Sequence, residues 1–291
     1  MHKPVLLKEV LDYLNPQPGE NFIDCTFGFG GHSLEILKKN KPGGKVLGIE
    51  QDKEILEKFT NKNKRLDLID GNFNNLKEIV KNDRFFKLNK INGILFDLGV
   101  SSWHFDESGR GFSFQTDEPL IMNCSEDGLS AEEIINQWPK EELIRIFREY
   151  GEERFTNHIA EEIYQRRKIE KIKTTKQLVN VIGSAIPGRY RHGRIHFATR
   201  VFQALRIAVN DELDNLKRAL PQALEVLEKD GRIVVISFHS LEDRIVKNFF
   251  RDSSKEDSLK ILTKKPIIPS EDEVNLNFRS RSAKLRAAIK I

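Results

Sequence analysis

The segment Phe22-Ile23-Asp24-Cys25-Thr26-Phe27-Gly28-Phe29-Gly30-Gly31-His32 sets an apolar run, an acid and a cluster of glycines before a helical pattern that begins near Ser33. A strand, turn and helix in this order aim free backbone N–H groups and the positive end of a helix at a bound molecule, and glycine lets the backbone come close to it. Gly28 and Gly30 begin the Gly-x-Gly-x-x-Gly dinucleotide pattern, but its third position is Ser33 and no Gly-Lys-Ser/Thr follows, so the turn is not that of a pyrophosphate site. Asp24, at the carboxyl end of the run, suits a cationic ligand. Glu50 closes a second apolar run about 20 residues beyond the glycines, where nucleotide-binding α/β folds place an acid on a ribose diol. Asp97 closes a further run, Ile91 to Asp97. In an open parallel sheet the three acids would converge on one crevice, with Phe73 available to cover a planar base and His239, after Arg232 to Ser237, standing on the same rim. Each feature also has a plainer reading: a tight turn with nothing bound, a solvated acid, a structural histidine.

Arg189-Tyr190-Arg191-His192-Gly193-Arg194, with Arg200 close behind, crowds positive charge around an aromatic residue and a glycine. That composition suits a nucleic-acid backbone, the alternative being a solvated basic loop.

The elements that must position these residues fall into two rhythms. Runs at 22–24, 45–50, 66–70, 91–97 and 232–237 read as buried strands separated by helical patterns, which predicts a parallel α/β sheet. Val5 to Leu14 reads as a short helix over the cofactor edge, Ser33 to Asn40 as the helix after the glycines, and Leu213 to Leu227 as a helix that Pro221 restarts or kinks. Ser240 with Asp243 resembles an N-cap pair, and the basic tail from Phe278 reads as a last hairpin. Between Asp97 and about residue 206 the alternation stops. Glu141 to Tyr150, His158 to Arg167 and Thr174 to Ile182 carry helical spacing there, with a Thr174/Gln177 capping box, so this stretch reads as an all-helical domain inserted into the sheet protein. The expected division is 1–104 with 207–291 for the sheet domain and 105–206 for the insertion.

At 291 residues, 38% hydrophobic and 32% charged, the chain supports a sizeable core. No apolar run approaches the roughly 18 residues of a membrane span. Met1-His2-Lys3-Pro4 lacks the apolar stretch of a signal peptide, and Cys25 and Cys124 suggest neither a disulfide framework nor a zinc site, which reads as a cytoplasmic protein. The net charge of +4 is mild, so the placement of the basic residues matters more than their sum.

Longer motifs add a resemblance. Pro4-Val5-Leu6-Leu7, Asp24 through His32, Asp97 through Ser102, Arg110 through Phe114, Tyr150 through Glu153, Phe202 through Asn210 and Phe238 through Arg244 closely resemble the RsmH family, also called MraW. The resemblance runs from Pro4 to Arg286. It implies a Rossmann-like class I methyltransferase sheet with a helical insertion, and transfer of a methyl group from S-adenosylmethionine to N4 of a cytidine in 16S ribosomal RNA, in the small ribosomal subunit. It places Gly30, Gly31 and His32 at the methionine part of the cofactor, Glu50 at the ribose and Phe73 at the adenine, with Asp97 and His104 completing the cofactor site, to which the strand-end reading adds Asp24. Asp97, Ser101 and His239 become the candidate catalytic residues, and Arg189, Arg191, Arg194 and Arg200 the candidate RNA contacts. No metal is implied. Oligomeric state stays open, a homodimer included.

The chain departs from the family in having Glu50 for Asp, His104 for Gln, and Pro119-Leu120-Ile121-Met122-Asn123-Cys124 where the family reads Pro-Leu-Asp-Met-Arg-Met. Two competing classes are an NAD-dependent oxidoreductase, which Ser33 argues against, and a non-catalytic RNA-binding or ribosome-assembly protein, which would bind RNA without the cofactor.

Overall fold

The computed structural model describes residues 4–60, 63–125, 128–193 and 195–291. They form two compact units. The first comprises the residues up to Gly99 and from Leu213 onward, and the second runs from Val100 to Glu212, where the sequence placed the limits at 105 and 206.

In the first unit the chain lays down α1 (Leu7–Leu14), β1 (Phe22–Asp24), α2 (Gly31–Lys39), β2 (Val46–Glu50), α3 (Lys53–Lys58), β3 (Leu66–Asp70), α4 (Leu76–Asn82) and β4 (Gly93–Asp97). The second unit holds α5 (Ser102–Asp106), α6 (Ala131–Gln137), α7 (Lys140–Glu149), α8 (Thr156–Ile169), α9 (Thr175–Ala185) and α10 (Thr199–Asn210). The chain then continues through α11 (Glu212–Val226), β5 (Arg232–Ser237), α12 (Ser240–Lys255), β6 (Leu259–Ile261), α13 (Glu271–Leu276) and β7 (Lys284–Lys290).

The strands build one seven-stranded sheet in the order β3-β2-β1-β4-β5-β7-β6. The first five run parallel, and β7 enters antiparallel between β5 and β6. Strand side chains alternate between faces. Ile23, Leu47, Ile49, Ile94, Phe96, Ile233 and Val235 therefore meet α4, α11 and α12, while Phe22, Val46, Leu95, Val234 and Ile236 meet α1 and α2. Burial on both faces explains why these strands read as unbroken apolar runs.

α1 packs on α2, β5 and β7, and its first peptide is fixed by Glu273 of α13, whose Oε1 accepts the Leu6 N–H at 2.7 Å. α11 continues through Pro221 without a break. The cap of α12 falls one residue earlier than expected: His239 is the N-cap and Glu242 its reciprocal partner, because Glu242 and not Asp243 lies three residues into the helix from the cap.

The second unit is helical and has its own core, in which Leu143, Ile146, Phe147, Ile159, Ile163, Leu178, Ile182 and Leu205 are fully buried. The Thr174/Gln177 capping box forms as expected. The segment that departs from the family pattern belongs to this core: Leu120, Met122 and Cys124 are buried in it. Asn210 holds the segment by accepting the Cys124 N–H at 2.9 Å and donating to the Met122 carbonyl at 2.8 Å. No helix among the described residues is long and apolar enough to cross a membrane.

Candidate active site at the strand rim

Strand register decides which acids reach the rim. Glu50 and Asp97 are the last residues of β2 and β4, whereas Asp24 pairs with Gly48 and Leu95, two residues short of both. At about 3.3 Å per residue it lies roughly 7 Å deeper in the sheet. The expectation of three acids level on one crevice is thereby corrected: two stand on the rim and the third lies beneath it.

Asp24 holds the loop from that depth. Its Oδ2 accepts the Ser33 hydroxyl at 2.7 Å and its Oδ1 the Thr26 N–H at 3.2 Å, with the Thr26 hydroxyl directed to the same oxygen at 3.5 Å. Burial pushes its carboxyl above the ordinary range, and the bond from Ser33, the nearby His32 and the Thr26 N–H oppose that rise. Thr26 Oγ1 also accepts the Asp97 N–H at 2.6 Å, which ties the end of β4 to the loop after β1.

The loop turns through two glycines with positive φ, Gly28 at 54° and Gly30 at 72°. They serve different needs. A Cβ on Gly30 would sit 2.7 Å from the Phe27 ring, while one on Gly28 would meet nothing within 4 Å. Gly30 caps α2, which starts at Gly31 and not near Ser33, and Gly31 packs so closely under Pro4 that a Cβ there would lie 2.6 Å from the proline ring.

Glu50 is enclosed by backbone donors: Gly28 N–H reaches Oε2 at 2.8 Å, and Gln51 and Asp52 N–H reach Oε1 at 2.9 Å each. Burial outweighs these bonds and pushes its carboxyl up to about 7, the neighbouring Asp52 adding to the rise. Phe73, half-buried beyond β3, sits edge-to-face on Phe96 at 5.6 Å.

His32 is buried at the start of α2, its Nε2 3.4 Å from Oδ2 of Asp97. Neither ring nitrogen makes a hydrogen bond, and Oδ1 of Asp97 is also buried without one. Buried polar atoms ordinarily find partners, so these three atoms leave room for a further polar partner beside the loop.

His239 follows β5, with Nδ1 accepting the Glu242 N–H at 3.3 Å and Nε2 3.3 Å from Oε1 of Glu242. Oε2 of the same carboxylate accepts the Phe238 and His239 N–H groups at 2.7 and 3.2 Å. The imidazole thus caps α12 through Nδ1, while the buried Nε2 makes no hydrogen bond.

Ser101 and His104 lie in the second unit, where they engage each other. Ser101 caps α5, and its hydroxyl and N–H lie 2.9 and 3.1 Å from Nδ1 of His104. Arg189 and Arg191 are exposed on the turn after α9, the Arg189 guanidinium 5.0 Å from the Tyr190 ring, and Arg200 lies in the first turn of α10. Arg194 lies outside the described residues.

The structure thus brings Asp24, Gly30, Gly31, His32, Glu50, Phe73 and Asp97 together around one loop of the first unit, with His239 at the neighbouring strand end. Sequence reasoning passed over Thr26 and used Ser33 to start the helix and to set aside a dinucleotide, not as a partner of Asp24. A hydroxyl two residues after a strand-ending acid is the signal that could have found the first.

A parallel sheet with one antiparallel strand inserted next to its edge, a glycine loop after β1 and an acid ending β2 define a class I methyltransferase-type α/β protein. The comparison with known proteins makes this specific: the profile of the MraW methylase family matches residues 1–291, and the chain belongs to that family. It is 46% identical to ribosomal RNA small subunit methyltransferase H of Heliobacterium mobile, covering 100% of this chain and 99% of the relative. It is 49% identical to the protein of that name from Dictyoglomus thermophilum, over 98% of this chain and 95% of the other. A solved rRNA methylase from Streptococcus thermophilus aligns with 100% of this chain and 99% of its own at 11% identity and a TM-score of 0.47, a distance across which nothing about the site is transferred. S-adenosylmethionine is the methyl donor of the family. The residues fit it: a loop without a pyrophosphate cradle, an acid at the end of β2, and buried, unbonded polar atoms on His32 and Asp97.

Proposed function

We propose that this chain methylates small-subunit ribosomal RNA, and that the acceptor is N4 of one cytidine in 16S RNA. The observation that carries the reading is Asp97: a carboxylate at the end of β4, tied to the glycine loop through Thr26, with Oδ1 buried and without a hydrogen bond. The names of the relatives support ribosomal RNA as substrate, and the resemblance at Asp97 through Ser102 supports the base and atom.

Glu50 would take the ribose hydroxyls, Phe73 the adenine, and Gly30, Gly31 and His32 the methionine end. When bound, S-adenosylmethionine supplies a methyl group on a sulfonium, electrophilic enough that a neutral amine needs no strong base beforehand. The protein's task is chiefly positioning. The lone pair of cytosine N4 is delocalised into the ring, and an acceptor on its N–H localises that pair as attack begins. Oδ1 of Asp97 is the acceptor assigned to that N–H, and His32 steadies the other carboxylate oxygen. His239 keeps a positioning role, since its ring holds the turn after β5. Ser101 and His104 order the start of α5, and Arg189, Arg191 and Arg200 meet RNA phosphates. RNA sequence is read mainly from unpaired bases, so the cytidine lies in a single-stranded or opened segment. The setting is the cytoplasm, where small subunits are assembled.

The test is incubation of the purified protein with labelled cofactor and small subunits lacking the modification, followed by digestion to nucleosides. Label in N4-methylcytidine is expected. Label at carbon 5 or on the ribose would overturn the assignment of the atom, and no transfer to RNA would overturn the substrate.

A further inference from the structure

We infer that the turn between α8 and α9 is a second phosphate-contacting surface, and that one RNA molecule engages both ends of α9. The inference rests on the reading of the substrate as RNA.

Residues 165–176 carry Arg166, Arg167, Lys168, Lys171, Lys173 and Lys176 against a single acid, Glu170. The two arginines have structural partners: Arg166 lies 3.6 Å from Glu162, and Arg167 donates to the carbonyls of Ile135 and Trp138 at 2.8 Å. The lysines differ. Lys168 donates to Gln165 at 3.3 Å, stands 4.1 Å over the Tyr164 ring and feels the Glu161 carboxylate without forming an ion pair with it among the described residues. Lys171, Lys173 and Lys176 are exposed, and among the described residues their ammonium groups meet no carboxylate. Arg167 and Lys140 also face Tyr164, at 5.1 and 5.8 Å, so cations converge on one aromatic ring.

The fold compensates this placement only in part: the Asp117 carboxylate accepts the backbone N–H of Lys176 at 3.3 Å, and among the described residues it makes no ion pair with the lysine ammonium groups. Lys176 is the second residue of α9, whose first turn contains no acid, and the partial positive charge of a helix N-terminus disfavours a cation there. Ile169, 85% exposed, lies amid the lysines with no packing role. A polyanion relieves the mutual repulsion of such a cluster and gains from the ions it releases. α9 spans 11 residues, about 16 Å, and Arg189 and Arg191 follow its other end. Two cationic groups thus stand at the two ends of one rigid element, which fits an extended polyanion better than a small anion.

The test uses the full chain with all four lysines changed, K168Q/K171Q/K173Q/K176Q. A control variant changes Lys81, Lys87, Lys229 and Lys260, exposed lysines of the first unit, to Gln. RNA binding and methyl transfer are followed against salt. The four changes should lower the slope of log affinity on log salt by up to about 3, at roughly 0.7 per single-strand phosphate contact. KM for RNA should rise at least about tenfold, with kcat, cofactor affinity and melting temperature held. The corresponding Lys→Arg variant should keep the wild-type slope. An unchanged slope, or an equal fall in the control, overturns the inference. So does unchanged RNA binding alongside lost retention on phosphatidylserine vesicles, which would assign the surface to a membrane. Wild-type protein that binds no RNA at all overturns the substrate reading as well, a result visible before any variant is compared.

Discussion

Ser33 donates its hydroxyl to Oδ2 of Asp24 at 2.7 Å, and both residues are buried. The position that a dinucleotide fold gives to its third glycine carries in this chain a side chain that satisfies an acid beneath the rim. Ser33→Ala would leave that oxygen buried without its donor, at a cost of about 1–3 kcal/mol. Urea unfolding should show this loss while the folded variant keeps its cofactor affinity within about threefold. Unchanged stability would mean that Asp24 is not held by Ser33.

Glu50 gives a pH signature. Its carboxyl stands at about 7 in the folded chain against 4.5 in the open one, so folding favours the protonated form. That stabilisation is complete below about pH 4.5 and is lost as pH rises towards 7, on the order of 3 kcal/mol in all at 1.36 kcal/mol per unit. Ribose hydroxyls donate to the ionised form, so cofactor affinity should rise with pH up to about 7 and level off, with proton release on binding below that point. Calorimetry in buffers of differing ionisation heat measures the proton, and Glu50→Gln should abolish its release. Glu50→Ala should weaken cofactor binding by about 1–3 kcal/mol.

What could be read from the sequence followed from periodicity. Each short apolar run ending in an acid became a parallel strand, since runs of three to seven residues bounded by turn signals are too short for a helix, and all but the half-exposed β3 are buried. Depth within the sheet was invisible. Asp24 and Asp97 look alike as strand-ending acids, and only the pairing of Asp24 with Leu95 shows that one lies below the other. Two residues in motifs of the family resemblance serve packing: Gly151 abuts the Arg200 carbonyl, where a Cβ would come within 2.6 Å, and Asn210 fastens Met122 and Cys124. A motif marks a constrained position without saying whether a ligand or the chain constrains it. Pro221 reads in the sequence as an interruption, yet the helix runs through it, since tertiary packing of Leu216, Leu220 and Ala223 holds both sides.

The two glycines of the loop should separate stability from binding. Gly30→Ala meets both a positive φ and the Phe27 ring, whereas Gly28→Ala meets only the backbone penalty, about 1 kcal/mol. Thermal melting should therefore fall further for Gly30→Ala, and Gly28→Ala should remain folded while losing cofactor affinity, its open side being where a ligand approaches. Equal melting temperatures for the two would contradict the close packing of Gly30 on the Phe27 ring.

The Arg189 and Arg191 pair should act on RNA and leave the cofactor alone. Replacing both with Ala should reduce the salt slope of RNA binding by roughly 1.4, at about 0.7 per contact, with S-adenosylmethionine affinity unchanged by calorimetry. A wild-type slope would make the turn a solvated basic loop.

Asp97 carries the strongest expectation. Its N–H is held by Thr26 and one oxygen lies 3.4 Å from His32, so Asp97→Asn should fold with the backbone in place. It would present an amide whose NH2 or oxygen faces the acceptor base without the negative charge that localises the N4 lone pair. Single-turnover methyl transfer should fall by at least about a hundredfold, the scale of losing one oriented polar group in a transition state, and Asp97→Ala should abolish it. The decisive comparison is with cofactor affinity. Binding kept within a few fold and turnover lost places Asp97 on the amine, whereas equal losses in both would make it a cofactor ligand and return the search for the N4 acceptor to the rest of the rim. His32→Ala separates the two further. It removes the only imidazole beside Asp97 among the described residues, and it should lower kcat less than Asp97→Asn does if His32 acts by steadying the carboxylate.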